Sequence, residues 1–377
     1  GLVSPHITFL FGRNSISWGR SETGNLFIDD HTAYHDFIQF SAHTRKIKYS
    51  SIALFLNPLQ KEIPDDGVTD KDNWFDYRYM FNSHKDIFTG IDTRIFRGNR
   101  LEFLLLPKLR VGLTEGVLYN SDTIDLRMFS PLMFLHNYLN FVESNHVFQL
   151  DIEYSLSPGW LLFTQVLLDQ FQTAAEQQNA ELDDAGEDLA PSAYGFLVGT
   201  HFSKTTDGGK NRIRGYLEFL YTSPSLYLRN HDEGNTYYDL VQLTQNRDGG
   251  IGGVSFIGTP IGPDSILIKT HVAFDFKKAS TFIVESAFLV QGERGLYIDG
   301  KIQEVPFDYG LNPISPTGTP EYCLINGIGY EMKLQDYNLA FNTKLHTINR
   351  WNNRNILGDN LFDMQFSVGA QYQLQLF

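Results

Sequence analysis

From Met364 to Leu376 apolar and polar residues alternate without a break. Met364, Phe366, Val368, Ala370, Tyr372, Leu374 and Leu376 fall on one side, and Gln365, Ser367, Gly369, Gln371, Gln373 and Gln375 on the other. Period two is the signature of a strand, and here it sets one face in an apolar medium and the other in a polar one. The pattern recurs upstream. In the segment 92–106, Ile95, Leu101, Phe103 and Leu105 share a face, while Asp92, Arg94, Arg100 and Glu102 share its reverse. Gln149, Asp151 and Glu153 likewise oppose Leu150, Ile152 and Tyr154. Arg212, Arg214 and Glu218 oppose Ile213, Leu217 and Phe219, and Lys269, His271 and Asp275 oppose Ile268, Val272 and Phe274. Segments 110–119 and 160–170 mix their faces, with Glu115 out of step, which predicts bulges or rim positions there.

Strands are predicted at 5–13, 34–44, 47–57, 92–106, 110–119, 145–155, 160–170, 193–203, 211–222, 236–245, 251–258, 265–276, 280–291, 322–334, 337–348 and 363–377. Their connections alternate short and long. Turns such as 45–46, 107–109, 156–159, 204–210, 246–250, 277–279 and 335–336 carry the Gly, Pro and Asp of tight reversals. Between them lie long segments at 14–33, 58–91, 120–144, 171–192, 223–235, 292–321 and 349–362, with 259–264 as the single brief exception. Such alternation predicts an all-β fold, a transmembrane antiparallel up-and-down β-barrel of about 16–18 strands with short periplasmic turns and long extracellular loops. The whole of 1–377 then forms one barrel domain in an outer membrane. No run approaches the ~18 apolar residues of a membrane helix.

Composition agrees, with 30 Phe, 19 Tyr and 32 Gly among 377 residues. A formal charge of −14, with no basic cluster, excludes a nucleic-acid partner. A single cysteine, Cys323, excludes an internal disulfide. At the bilayer centre a charge facing lipid costs about 2–4 kcal/mol, so the charged faces must line the lumen. That assigns Asp92, Arg94, Arg100, Glu102, Arg212, Arg214, Glu218, Lys269, His271 and Asp275 to the interior, where they form either a paired network that rigidifies the barrel or a selectivity lining.

Candidate chemistry in the loops is thin. The acidic loop 171–192 reads as a solvated tip and lacks the ligand spacing of a calcium loop. His31, His35 and Asp36 suggest either a metal or a hydrolytic pair, but there is no third ligand in register and no G-x-S-x-G, so neither a metal, a cofactor nor catalysis is expected. The apolar loop 120–144 should fold over the mouth, with 128–142 helical.

Two resemblances bear on function. Ser367, Gly369, Tyr372, Leu374 and Phe377 resemble the C-terminal insertion signal of bacterial barrels, which implies recognition by the barrel-assembly machinery. Further motifs resemble the capsule-assembly outer-membrane proteins of the Wzi type. They are Phe11-Gly12-Arg13 with Trp18-Gly19 and Asn25-Leu26, Asn99 to Phe103 with Leu113-Thr114-Glu115 and Tyr119, and Phe256 to Asp264. The resemblance implies a barrel of about 18 strands, in contact with lipid and lipopolysaccharide, whose surface loops hold an extracellular or capsular polysaccharide without catalysis. In that family the Gly-Arg motif follows further strands, whereas here it begins at residue 11, which implies an N-terminally incomplete chain.

A polysaccharide asks for flat aromatic faces flanked by planar hydrogen-bonding groups. Trp18, Arg20, Trp74, Tyr77, Arg78, Arg350 and Trp351 meet that description in or beside the long loops. The same residue types also build the aromatic girdle of any barrel. A porin-like channel for small solutes or oligosaccharides is the alternative function.

Overall fold

A computed structural model describes residues 2–32, 34–56, 93–121, 144–170, 192–228, 240–245, 251–277, 279–293, 297–298, 301–302, 314–334 and 338–372. In chain order the strands are β1 (Leu2–Val3), β2 (Ile7–Asn14), β3 (His35–His43), β4 (Ile47–Leu56), β5 (Thr93–Leu106), β6 (Leu109–Ser121), β7 (Ser144–Ser157), β8 (Trp160–Gln170), β9 (Ala193–Thr206) and β10 (Asn211–Thr222). They continue with β11 (Val241–Gln245), β12 (Ile251–Phe256), β13 (Ser265–Phe276), β14 (Ser280–Gln291), β15 (Tyr297–Ile298), β16 (Lys301–Ile302), β17 (Glu321–Leu334), β18 (Leu339–Trp351) and β19 (Asn360–Tyr372). Fifteen of them form one antiparallel meander, described from β1 at one edge to β19 at the other. Alternate tight turns therefore fall on one rim, where 44–46, 107–108, 158–159 and 207–210 lie together. The connection 335–336 and the terminal Phe377 lie outside the described residues.

The ladder corrects one part of the expected topology. β10 pairs directly with β13, in register from Arg212↔Asp275 to Thr222↔Ser265. The segments 236–245 and 251–258 are therefore not wall strands. Their cores, β11 and β12, pair only with each other, as a separate ribbon within one long-loop connection running from 223 to 264. With that hairpin removed from the wall, the exceptionally short loop at 259–264 disappears and the short-long alternation has no exception.

Register also fixes the two faces. Arg100 lies opposite Thr114 and Ser50, Glu218 opposite Lys269 and Gly199, and Ser367 opposite Lys344, all on the lumen side. On the outside, Phe9, Phe11, Leu113, Leu150, Val198, Leu217, Ile268, Phe282, Ile328, Phe366 and Val368 are exposed, as a lipid-facing band requires. Arg13 ends this band at the long-loop rim, 2.7 Å from Asp36 and 4.2 Å from the Tyr34 ring.

The mixed face of β8 is explained by a register shift at Leu168 and Gln170. Glu115 is different, because β6 runs past it without a bulge against β7. It faces outward beside a buried polar group on β4 and β5, in which Tyr49 and Ser51 donate to Asn99 Oδ1 at 3.0 and 2.8 Å and Arg97 donates to Ser51.

Along the lumen face the wall is graded. Toward the short turns it carries Lys48, Glu102, Arg110, Glu153, Arg212, Arg214 and Asp275, whereas toward the long loops it carries Leu54, Phe96, Leu118, Val147, Leu167, Leu197, Leu220 and Leu267. An apolar upper lumen would be unstable if filled with water. It needs apolar groups to cover it, and the chain supplies them.

Candidate functional site

The cover is the connection between β2 and β3. Residues 15–32 turn inward, and Trp18, Leu26, Phe27 and Ile28 join one buried cluster with the apolar wall residues, Leu226, Tyr227, Leu240, Val241, Phe256 and Ile257. Trp18 stacks on Phe27 with ring centroids 5.6 Å apart and planes 5° from parallel, and Phe27 meets Phe96 at 5.2 Å. Gly98 and Gly116, directly paired across β5 and β6, make room for that ring. A Cβ at Gly116 would lie 2.6 Å from Phe27 Cε2, and one at Gly98 3.0 Å from Cε1. Each buried large apolar side chain is worth about 1.5–3 kcal/mol, so this plug is held firmly.

Polar contacts set its position. Gln165 donates from Nε2 to Asn25 Oδ1 at 2.9 Å and accepts from the Leu26 N–H at 3.0 Å. Gly19 is obligatory, because a Cβ there would overlap both the Asn25 and the Gln165 side chains. Lower down, Glu218 accepts from Ser21 Oγ at 2.7 Å and from the Glu22 and Thr23 N–H groups at 2.9 and 3.0 Å, with His201 Nε2 at 3.3 Å. Inside the plug Asp29 accepts from the Asn25 N–H at 2.8 Å and pairs with His31 at 3.1 Å. Burial would push the Asp29 carboxyl up, but the bonds from His31 and Asn25 hold it below the usual carboxylate range.

The second inward segment locks onto the first. Tyr227 donates its hydroxyl to Leu26 O at 2.7 Å and receives the Thr259 N–H at 3.2 Å, and the Asp29 N–H donates to Ile257 O at 2.9 Å. Burial drives the Tyr227 hydroxyl well above the ordinary tyrosine range, so it stays a neutral donor. Arg94 of β5 reaches across to Val241 O at 3.4 Å. The motifs Trp18-Gly19, Asn25-Leu26 and Phe256 to Asp264 are thus parts of one plug assembled from two loops.

Below the plug the lumen widens into a vestibule of about 840 Å³, opening at the short-turn rim beside Leu104, Pro107 and Gly159. Its charged lining is Arg20, Lys108, Arg110, Arg212 and Arg214 against Glu22 and Glu153. Tyr216 and His271 stack in its wall at 5.4 Å and 8°.

All the described lumen residues expected from sequence do face inward, and most are partnered. Arg100 pairs with Asp151 at 2.6 Å, Arg214 with Asp275 at 3.2 Å, and Lys269 lies 5.9 Å from the Tyr216 ring centre. Asp92 lies outside the described residues.

The proposed sugar contacts fare differently. Trp18 is 8 % exposed and forms part of the plug core, so it presents no face to a polymer. Arg20 is carried through the lumen to Glu153, 3.2 Å away in the vestibule, and does not flank a surface loop. Arg350 faces inward and pairs with Glu321 at 2.7 Å. Trp351 is not in a loop: it ends β18 on the outward face opposite Tyr322, a girdle position, and is 41 % exposed. Trp74, Tyr77 and Arg78 lie outside the described residues, as does the expected helix at 128–142. His35 and Asp36 point to opposite faces of β3, so they form no pair, and no cluster of metal-ligating residues occurs among the described residues.

No protein-family model matches this sequence, and no curated protein matches it. Solved structures do match. The chain is similar over 98 % of its length to 67 % of Wzi, an outer-membrane protein involved in group 1 capsule assembly in Escherichia coli and a carbohydrate-binding β-barrel, with a TM-score of 0.54 and 14 % identity. Looser likenesses, too weak to add to the fold assignment, reach OccAB2 of Acinetobacter baumannii (13 % identity, 100 % of this chain, 79 % of that one, TM-score 0.44) and OprD of Pseudomonas aeruginosa (9 %, 98 %, 78 %, 0.41). The fold is that of outer-membrane β-barrels, here with an apolar plug seated in the lumen.

Proposed function

We propose that this barrel holds an extracellular or capsular polysaccharide at the cell surface and does not conduct solutes. One observation carries the reading: Trp18, Leu26, Phe27, Ile28, Leu226, Tyr227, Leu240, Val241, Phe256 and Ile257 form one buried apolar cluster with the wall in the upper lumen, where a porin keeps an aqueous path. A pore blocked by a core cluster has its exposed loops left as the working surface, and the likeness to a carbohydrate-binding barrel supports a glycan as what they hold. Trp74, Tyr77 and Arg78 are the contacts proposed from sequence that remain available for that role, with no catalytic group and no metal required. Single sugar contacts are weak, and repeated engagement along a polymer supplies the strength.

The test compares isogenic encapsulated cells with and without the gene. Cell-bound polysaccharide should fall, and shed polysaccharide rise, when the gene is absent. A Trp74→Ala/Tyr77→Ala barrel, made at normal abundance, should fail to restore retention. Normal retention in the deletion strain, with impaired growth on small solutes, would favour the channel instead.

A further inference from the structure

The vestibule differs in chemistry from the surface loops and from the plug. The chain as a whole carries −14, yet the charged residues facing this cavity are five basic against two acidic. The two acids are already engaged or outnumbered. Glu153 is shared by Arg20 at 3.2 Å and Arg110 at 3.4 Å, so one carboxylate faces two guanidinium groups.

Among the described residues no carboxylate lies within ion-pair distance of Arg212, although Asp275, paired with Arg214, stands opposite it across the ladder. Arg212 Nε donates to Ser203 Oγ at 2.7 Å, which aims the terminal nitrogens of the guanidinium. Arg214 lies two residues along the same face of β10, and one strand repeat is about 7 Å, so the two cations stand at successive levels of the wall. Among the described residues Lys108, at the rim, forms no ion pair with an acid. Low-dielectric walls around a cavity of one dominant sign focus the potential and raise the local concentration of the opposite charge. The volume falls within the range that encloses a short oligomer.

We propose that this vestibule binds a short acidic oligosaccharide from the short-turn side, with its carboxylates on Arg212 and Lys108 and supporting contacts from Arg214 and Arg110. Arg212 takes the bidentate position, since its fork matches a carboxylate. Short turns face the periplasm in barrels of this class, so the ligand arrives from within the envelope, on the side opposite the surface loops. The choice of a sugar acid over another anion rests on the carbohydrate reading above.

Calorimetric titration of the purified full-length barrel in detergent tests it, with trigalacturonate as probe, maltotriose as the neutral control and triglutamate as the non-sugar control. Trigalacturonate should bind at least tenfold more tightly than either. Arg212→Gln/Lys108→Gln should weaken it by about tenfold or more, the loss expected for a charge-assisted contact, and Arg212→Lys should recover part of it. Raising salt to 0.5 M should weaken it as well, since screening shortens the reach of exposed charges. Heat-modifiable gel migration confirms that each variant is folded. Equal binding of maltotriose, tighter binding of triglutamate, or unchanged affinity in the double variant would overturn the proposal. Loss of surface retention in deletion cells without vestibule binding would defeat this site alone, and vestibule binding with normal retention would defeat the surface reading alone.

Discussion

Phe27 is the side chain on which the closed lumen depends most. Its ring is sandwiched between Trp18 at 5.6 Å and Phe96 at 5.2 Å, in the slot left by Gly98 and Gly116, and it is 2 % exposed. Truncating a buried Phe to Ala costs about 3–5 kcal/mol, from lost transfer energy and the cavity left behind. The wall persists without Phe27, because its strands are held by the ladder from β1 to β19. The loss therefore falls on the equilibrium between seated and displaced plug. At 1.4 kcal/mol per tenfold, that ratio should shift by roughly 140- to 3,700-fold toward the displaced state. In planar bilayers Phe27→Ala should show brief openings far more often than wild type. Phe11→Ala, which truncates an exposed outward ring, should match wild type. Equal currents for Phe27→Ala and Phe11→Ala, with both barrels folded, would refute the idea that the plug closes the lumen.

Gly116→Val attacks the same slot from the wall, and it should raise openings to at least the Phe27→Ala level in the same bilayer assay. Glu218→Gln removes the charge that gathers Ser21, Glu22 and Thr23, and openings should rise by the equivalent of about 1.5–3 kcal/mol. Acid should loosen the plug through Asp29. Its folded-state value is depressed, so its contribution is complete above the unfolded value of about 3.9 and is lost as pH falls through the folded value. Currents should stay silent at pH 7 and 5 and rise below about pH 4, and Asp29→Asn should show increased openings already at pH 7.

Much of the wall was legible in the sequence, because lipid on one side and a charged lumen on the other force period two, and tight reversals force Gly, Pro and Asp. The segments 236–245 and 251–258 misled for a physical reason. A two-stranded ribbon inside the lumen alternates like a wall strand, and only the short connection 259–264 broke the pattern. Trp18 and Arg20 misled similarly, since an aromatic beside an arginine looks the same whether the loop points to a polymer or into the barrel. The signal that was available lay next to them: Leu26-Phe27-Ile28 is too apolar for a solvated loop, and the lumen faces of β4 and β10 change from charged to apolar along their length. Ending the strand at 348 puts Trp351 in a loop, whereas β18 runs three residues further and Trp351 is its last rung, where its face is set by Tyr322.

The most direct test of the closed lumen is liposome swelling with the wild-type protein and a small neutral sugar. A plugged barrel predicts swelling no faster than protein-free liposomes at any protein-to-lipid ratio, with Phe27→Ala swelling measurably. Swelling by the wild-type protein that rises in proportion to the amount reconstituted would contradict the account and make this barrel a channel.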